Sequence, residues 1–169
     1  MTVVDAGLPP ALLPLAWLVG VWEGDGVVGY PTMTEDRPFA QRVEVSHDGR
    51  PFLLWHSRTW ALDAAGRRGE PLATEVGFWR PGPDGPSEVE LLLTHATGIL
   101  ELYAGRVDGG RIELASDVVM RSPAAAEYAA GHRLYGHVEG DLMWAMDMSA
   151  VGQSMGPHAS ARLSRVRSA

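Results

Sequence analysis

The chain has 169 residues, of which 46% are apolar and 21% charged, enough for one domain with a sizeable core. Fourteen basic against twenty-one acidic side chains leave a net charge of −7, which argues against nucleic acid or an anionic membrane as the main partner. There is no Cys, so disulfides, thiolate metal sites and Cys nucleophiles are excluded, and every basic residue is Arg, so no Lys Schiff base can form.

The opening "MTVVDAGLPPALLPLAWLVG" has no basic n-region and is broken by prolines. It reads as neither a signal peptide nor a membrane span, and a cytoplasmic protein is expected. Residues 9–19 are apolar and Pro-rich and predict one or two short helical turns, because Pro is tolerated in a first turn. In "GVWEGDG", Trp22, Gly24 and Gly26 share a face by strand parity. Two glycines there permit a close backbone approach or a sharp bend, and Trp22 could plug a barrel end. No helix pattern follows, so this is not a phosphate loop.

From Trp22 onward, short apolar or alternating runs are separated by turn signals. The turns are "SHDGRP" (46–51), "DAAGRRGEP" (63–71), "RPGPDGPS" (80–87), "DGG" (108–110) and "VEGD" (138–141). The runs between them are "FAQRVEVS", "FLLWHSRTW", "TEVGFWR", "EVELLLTHA", "GILELYAGRV", "RIELASDVVM", "HRLYGHV", "LMWAMDM" and "HASARLSRV". With the segment around Trp22 they predict about ten strands, the spacing of an all-β barrel or sandwich, in an antiparallel up-and-down order that can close into a β-barrel, with a short N-terminal helix. A barrel of that size leaves an internal cavity. The stretch "SPAAAEYAAG" (122–131) reads as a loop, with a short helix as the alternative. A single domain over 1–169 is expected.

Leu142, Trp144, Met146 and Met148 share one face of their strand, suited to a ligand cavity or to an ordinary core. Leu91, Leu93 and His95 share another. The six histidines show neither HxH nor HExxH spacing, so no multi-histidine metal site is visible. His47 sits in a turn, and His132 and His137 fall on opposite faces of one strand. His158 follows Gly156-Pro157 at the start of the last strand. It reads as a solvated residue, a buried hydrogen-bonding residue, or the one protein ligand of a cofactor that brings its own four equatorial donors, as haem does. No nucleophile triad is visible, and the carboxylate pairs Glu23/Asp25 and Glu88/Glu90 read as solvated strand edges.

Several segments in order resemble the nitrobindin family. "LVGVWEGDGVVGYPT" is similar to its G-x-W-x-G-x-G signature, with Gly20, Trp22, Gly24 and Gly26 at the defined positions and a Tyr-Pro-Thr after it. "DGRPFLLWHSRTW", "ATEVGFWR", "ELLLTHATGILELYAGRV" and "MDMSAVGQSMGPHASARLSRV" resemble later segments, so the likeness covers nearly all of residues 11–166. The resemblance implies a ten-stranded barrel related to fatty-acid-binding proteins, one haem b per chain, and isomerisation of peroxynitrite to nitrate. It also implies binding of nitric oxide, and such barrels can pair as a homodimer. It places His158 as the proximal iron ligand and its key catalytic group, with Gly156-Pro157 aiming the ring. Thr32 and Ala126 fall on cofactor-binding positions. Ala126 stands where many members have a Lys, and Arg121 or Arg133 could replace that Lys at a haem propionate. The rival readings are a carrier of a small apolar molecule or fatty acid, using Arg42 or Arg80 inside the barrel, and an interaction domain without a ligand.

Overall fold

The computed structural model describes residues 7–166, so the first six and last three residues of the expected domain lie outside the described residues. A 3-10 helix, Pro10–Leu18, precedes ten strands: β1 (Gly20–Val28), β2 (Arg37–Ser46), β3 (Leu53–Leu62), β4 (Arg68–Pro81), β5 (Glu88–His95), β6 (Ile99–Asp108), β7 (Arg111–Arg121), β8 (Tyr128–Val138), β9 (Asp141–Ala150) and β10 (Gly156–Arg165). Each pairs antiparallel with its sequence neighbour, and β1 pairs with β10, so the sheet closes into a barrel with no free edge.

The helix exists because prolines occupy its first turn and apolar residues can face the barrel. Leu12, Leu15 and Leu18 are fully or almost fully buried. It ends at Val19, which is extended, and Gly20 makes the turn into β1 at φ 136°. Trp22 lies directly beneath and donates its indole N–H to the Leu18 carbonyl at 2.8 Å. Arg165 from β10 stacks over Trp22, 4.1 Å from the ring centroid, and donates to the Trp17 and Val19 carbonyls. The C-terminal strand is thereby pinned to the helix that closes this end. The adjoining core carries Trp55, Trp79 and Tyr135 edge-to-face, with centroids 5.1–5.9 Å apart.

Two expected boundaries are corrected. The turn at 63–71 is shorter, because β4 already begins at Arg68; its first residues are exposed throughout and carry no apolar alternation to reveal a strand. In "SPAAAEYAAG" only the first part is loop. Tyr128 to Gly131 belong to β8, where Tyr128 turns inward.

The up-and-down topology puts the β1–β2, β3–β4, β5–β6, β7–β8 and β9–β10 connections at the end away from the helix. That end is open. Tyr30, Tyr128 and Ala150, with Met146 and Met148, form a second small cluster there.

Candidate functional site

A cavity of about 270 Å³ opens at this end. One wall, from β1, β2, β9 and β10, is largely apolar: Val28, Phe39, Trp144, Met146, Met148 and Ala159. The face Leu142–Trp144–Met146–Met148 of β9 points inward, so the sequence parity and the geometry agree, with Leu142 in the core and the other three at the cavity.

His158 borders the cavity at the start of β10. Its partners are set by β1: the Gly29 N–H donates to the His158 carbonyl at 2.8 Å, and His158 Nδ1–H donates back to the Gly29 carbonyl at 3.1 Å. That bond fixes the tautomer and leaves Nε2 with the lone pair. Burial lowers the imidazole pKa, which the Gly29 bond only partly opposes and the Arg133 charge reinforces, so the ring is held neutral. Tyr30 stands edge-on to it, with centroids 5.7 Å apart. The Tyr30 hydroxyl donates toward the Met148 carbonyl at 3.1 Å and accepts from the Ala150 N–H at 3.0 Å, which locks the β1–β2 turn against β9.

What aims His158 is not the Gly-Pro turn. Gly156 and Pro157 are already strand, and the β9–β10 register slips by one residue between Pro157 and Ala159. Ala159, Ala161 and Leu163 are the inward set, so regular alternation would send His158 outward. A β-bulge at His158 turns it back to the cavity.

The other wall is polar and was not foreseen. Glu101 of β6 is fully buried and accepts from His95 Nε2 at 2.6 Å, from the Tyr103 hydroxyl at 2.5 Å and from Tyr128. Arg133 of β8 is also buried; it bonds Glu75 of β4 at 3.0 Å and lies 3.6 Å from Glu101. Trp55 donates to Glu75 at 2.9 Å. Burial alone would raise the Glu101 pKa, but the His95 bond, the Arg133 charge and the two hydroxyls hold it down at about 2. Glu75 is lowered as well, against its burial, by Arg133 and His95. Burial pushes Tyr103 and Tyr128 up, so both remain donors. Gly131 makes room for them, since a Cβ there would meet both hydroxyls within 2.3 Å. Beside this wall, Trp144 donates to Gln41, which donates to Ser57, both at 2.8 Å. Glu75, Glu101 and Arg133 sit at inward parity beside Trp79, Tyr103 and Tyr135, and a charge in an apolar alternation was the signal that could have marked them.

The remaining expected positions are spread. Gly24 and Gly26 carry the close approach of β1 to β10: a Cβ on either would lie 2.2–2.3 Å from a β10 carbonyl oxygen. Thr32 lies exposed in the β1–β2 connection and Ala126 exposed in the β7–β8 connection, where its carbonyl accepts from Arg121 at 3.1 Å. Neither lines the cavity. The carrier reading needed Arg42 or Arg80 inside. Both instead lie outside the cavity, Arg42 bound to Glu23 and Glu44 and Arg80 to Glu90. The interior arginine is Arg133, and its charge is already taken up by two carboxylates. His47 lies in the connection after β2, in the expected turn, where it is half-buried and accepts from the Gly49 N–H. His137 stacks on Trp17 at the helix end, far from the cavity mouth.

The donor set suits haem: one neutral imidazole with a fixed tautomer, beside an apolar wall, with no other histidine, Asp or Glu cluster among the described residues arranged to hold a bare metal ion. Known proteins agree. A ferric nitrobindin-like protein of Kineococcus radiotolerans is 51% identical, over 94% of both chains. A peroxynitrite isomerase of Salinispora tropica is 49% identical, over 94% of this chain and 82% of its own. The crystal structure of Rv2717c from M. tuberculosis superposes with a TM-score of 0.84 at 36% identity, covering 95% of this chain and 99% of that one. Residues 11–165 match the model of the THAP4-like, heme-binding beta-barrel domain, and the chain belongs to that family, the nitrobindins.

Proposed function

We propose that this chain is a cytoplasmic, single-domain protein that binds one haem b through His158 and isomerises peroxynitrite to nitrate, with nitric oxide as a second ligand of the same iron. The observation that carries the reading is the His158–Gly29 pair: Nδ1 is committed to a carbonyl, the ring is neutral, and Nε2 is the nitrogen left to donate to iron. The relatives named peroxynitrite isomerase supply the reaction. Haem bound there supplies the Lewis-acidic iron at which peroxynitrite is rearranged.

The chain's own residues do the rest. His158 would hold the metal, and Gly29 and Tyr30 hold His158 in place. Val28, Phe39, Trp144, Met146 and Met148 present an apolar wall that keeps water back and would hold a small ligand close beside the cofactor. Neither Thr32 nor Ala126 lines the cavity, so contacts from them would be made at the rim, by groups of the two connections rather than by the barrel wall. Two copies are expected to pair as a homodimer, and neither nucleic acid nor a membrane is expected as a partner.

Titration with hemin tests this. The wild type should give a Soret band at one equivalent, and His158→Ala should lose it while keeping its β-sheet circular dichroism. A Soret band of unchanged position and affinity in His158→Ala would remove His158 from the site.

A further inference from the structure

The polar wall has a feature that holding haem does not require. His95 is the last residue of β5, at the open end, and it borders the same cavity as His158. In the closed order of ten strands, β5 and β10 are five strands apart in either direction, so the two histidines stand on opposite walls. His95 Nε2 is committed to the Glu101 carboxylate at 2.6 Å. An ionised carboxylate only accepts, so Nε2 carries the hydrogen and Nδ1 carries the lone pair. That lone pair lies 3.9 Å from Glu75, too far for a hydrogen bond, with one carboxylate on each side of the ring.

That nitrogen stands among charged and polar groups from three neighbouring strands. Facing His95 are Glu75 from β4, Glu101 and Tyr103 from β6, and Arg133 and Tyr128 from β8. The tyrosines stay neutral, and two carboxylates against one guanidinium leave the wall one positive charge short. A proton delivered to Nδ1 would supply that charge. The ring keeps 19% side-chain exposure, so a proton taken from a ligand can pass on to water at the mouth.

We propose that His95, oriented by Glu101, is a proton-accepting site for small weak acids that enter the cavity. The ligand class is H–X whose anion X⁻ binds iron; peroxynitrous acid belongs to it, and hydrogen cyanide is the simplest probe. The H–X bond breaks, X⁻ goes to the metal, and the proton goes to His95 Nδ1, between Glu75 and Glu101. This rests on the haem reading above.

The test is cyanide association with the hemin-loaded protein at pH 7, followed at the Soret band in wild type and His95→Gln. At this pH cyanide arrives as HCN and must lose its proton to bind. The Gln amide can still donate to Glu101 but cannot take a proton. Association should slow about tenfold or more, within the range of a positioned general base. Binding of neutral imidazole, which loses no proton, should change less than about twofold, as a merely structural role for His95 would not separate the two ligands. Equal cyanide rates in both proteins overturn the proposal, and so does an equal fall for both ligands. A second measurement needs no haem: ¹⁵N spectra of the apo protein should show the neutral His95 ring with its hydrogen on Nε2. The opposite tautomer overturns the proposal even if no Soret band forms in the wild type, a result that by itself would sink only the haem reading.

Discussion

Arg133 holds two buried carboxylates at once, and its removal should be far more costly than that of any surface arginine. In Arg133→Met, Glu75 and Glu101 would face each other with no cation between them. Breaking a buried ion pair from one side costs about 3–5 kcal/mol, and urea unfolding at pH 7 should show a loss of that order. Arg50→Met, which breaks an exposed pair with Asp48, should leave the urea midpoint almost unchanged. Glu101 also sets an acid limit. Its folded pKa of about 2 lies below the ordinary 4.5, so between those values the unfolded chain binds the extra proton. The stabilisation is complete above about 4.5 and is lost as pH falls through about 2, for a total near 3 kcal/mol. Melting temperatures from pH 6 to pH 2 should fall in that window for the wild type and more weakly for Glu101→Gln. Of this cluster the sequence marks only Arg133, as a propionate partner by family likeness, and His95, by strand parity, although Glu101 alternates with Ile99 and Tyr103 in "ILELYAG". Single-residue chemistry was sought among histidines and paired carboxylates. The closed barrel brings together β4, β5, β6 and β8, and adjacency of that kind has no signature in linear spacing.

Among the elements, β10 has the most to say about how the site is made. The strand itself was legible from "HASARLSRV", and His158 from the family likeness, but the bulge was not. A register slip of one residue is a property of the pair β9–β10, and strict alternation would have sent the ring outward. Deletion of Pro157 should therefore abolish haem binding with His158 itself unchanged. His158 would then pair with Asp147, whose face is outward, and the regular ladder would resume from Ala159. Circular dichroism should stay that of a β-barrel while hemin titration gives no Soret band; a normal band would show that the bulge is not what orients the ring. β1 makes the complementary point. Its glycines were read as a bend or a close approach, and close approach is what they provide, since β1 and β10 meet there. In Gly26→Ala the new Cβ would lie 2.3 Å from the Ser160 oxygen and 2.5 Å from Phe39. The seam must open or Phe39 must move, at a cost of about 1–3 kcal/mol. Chemical denaturation with an unchanged m-value is the measurement.

Seen whole, the barrel has two unlike outer sides. Across β3 to β7, strand register lines up Leu54, Phe78, Leu92, Leu102 and Val118 in one row, and Val76, Thr94, Leu100 and Met120 in the next. Leu54, Val76, Phe78, Leu100, Val118 and Met120 are between 37% and 63% exposed. At the usual strand spacing the rows span about 19 Å. The exposed apolar area is of the order of 500 Å², at the upper end of what a monomer carries. The outer face of β1, β2 and β10 instead carries Glu23, Asp25, Arg42, Glu44 and Arg162, largely in ion pairs. A chain of net charge −7 repels its own copies, and this apolar island is the face on which two copies approach with least repulsion. With its rim of Phe52, Arg80 and Glu90 it reaches the roughly 800 Å² per partner that a stable pair buries. A two-fold pairing of the island with itself would give the expected homodimer, the patch being its own complement. Light scattering during size exclusion should give twice the 18.2 kDa of one chain for the wild type and a monomer for Leu100→Glu. Val27→Glu, also exposed but on β1, should stay dimeric. A monomeric wild type at every concentration, or a Leu100→Glu protein that still pairs, would rule this face out. Haem titration should be the same in all three proteins, because the island lies outside the barrel and the cavity within it.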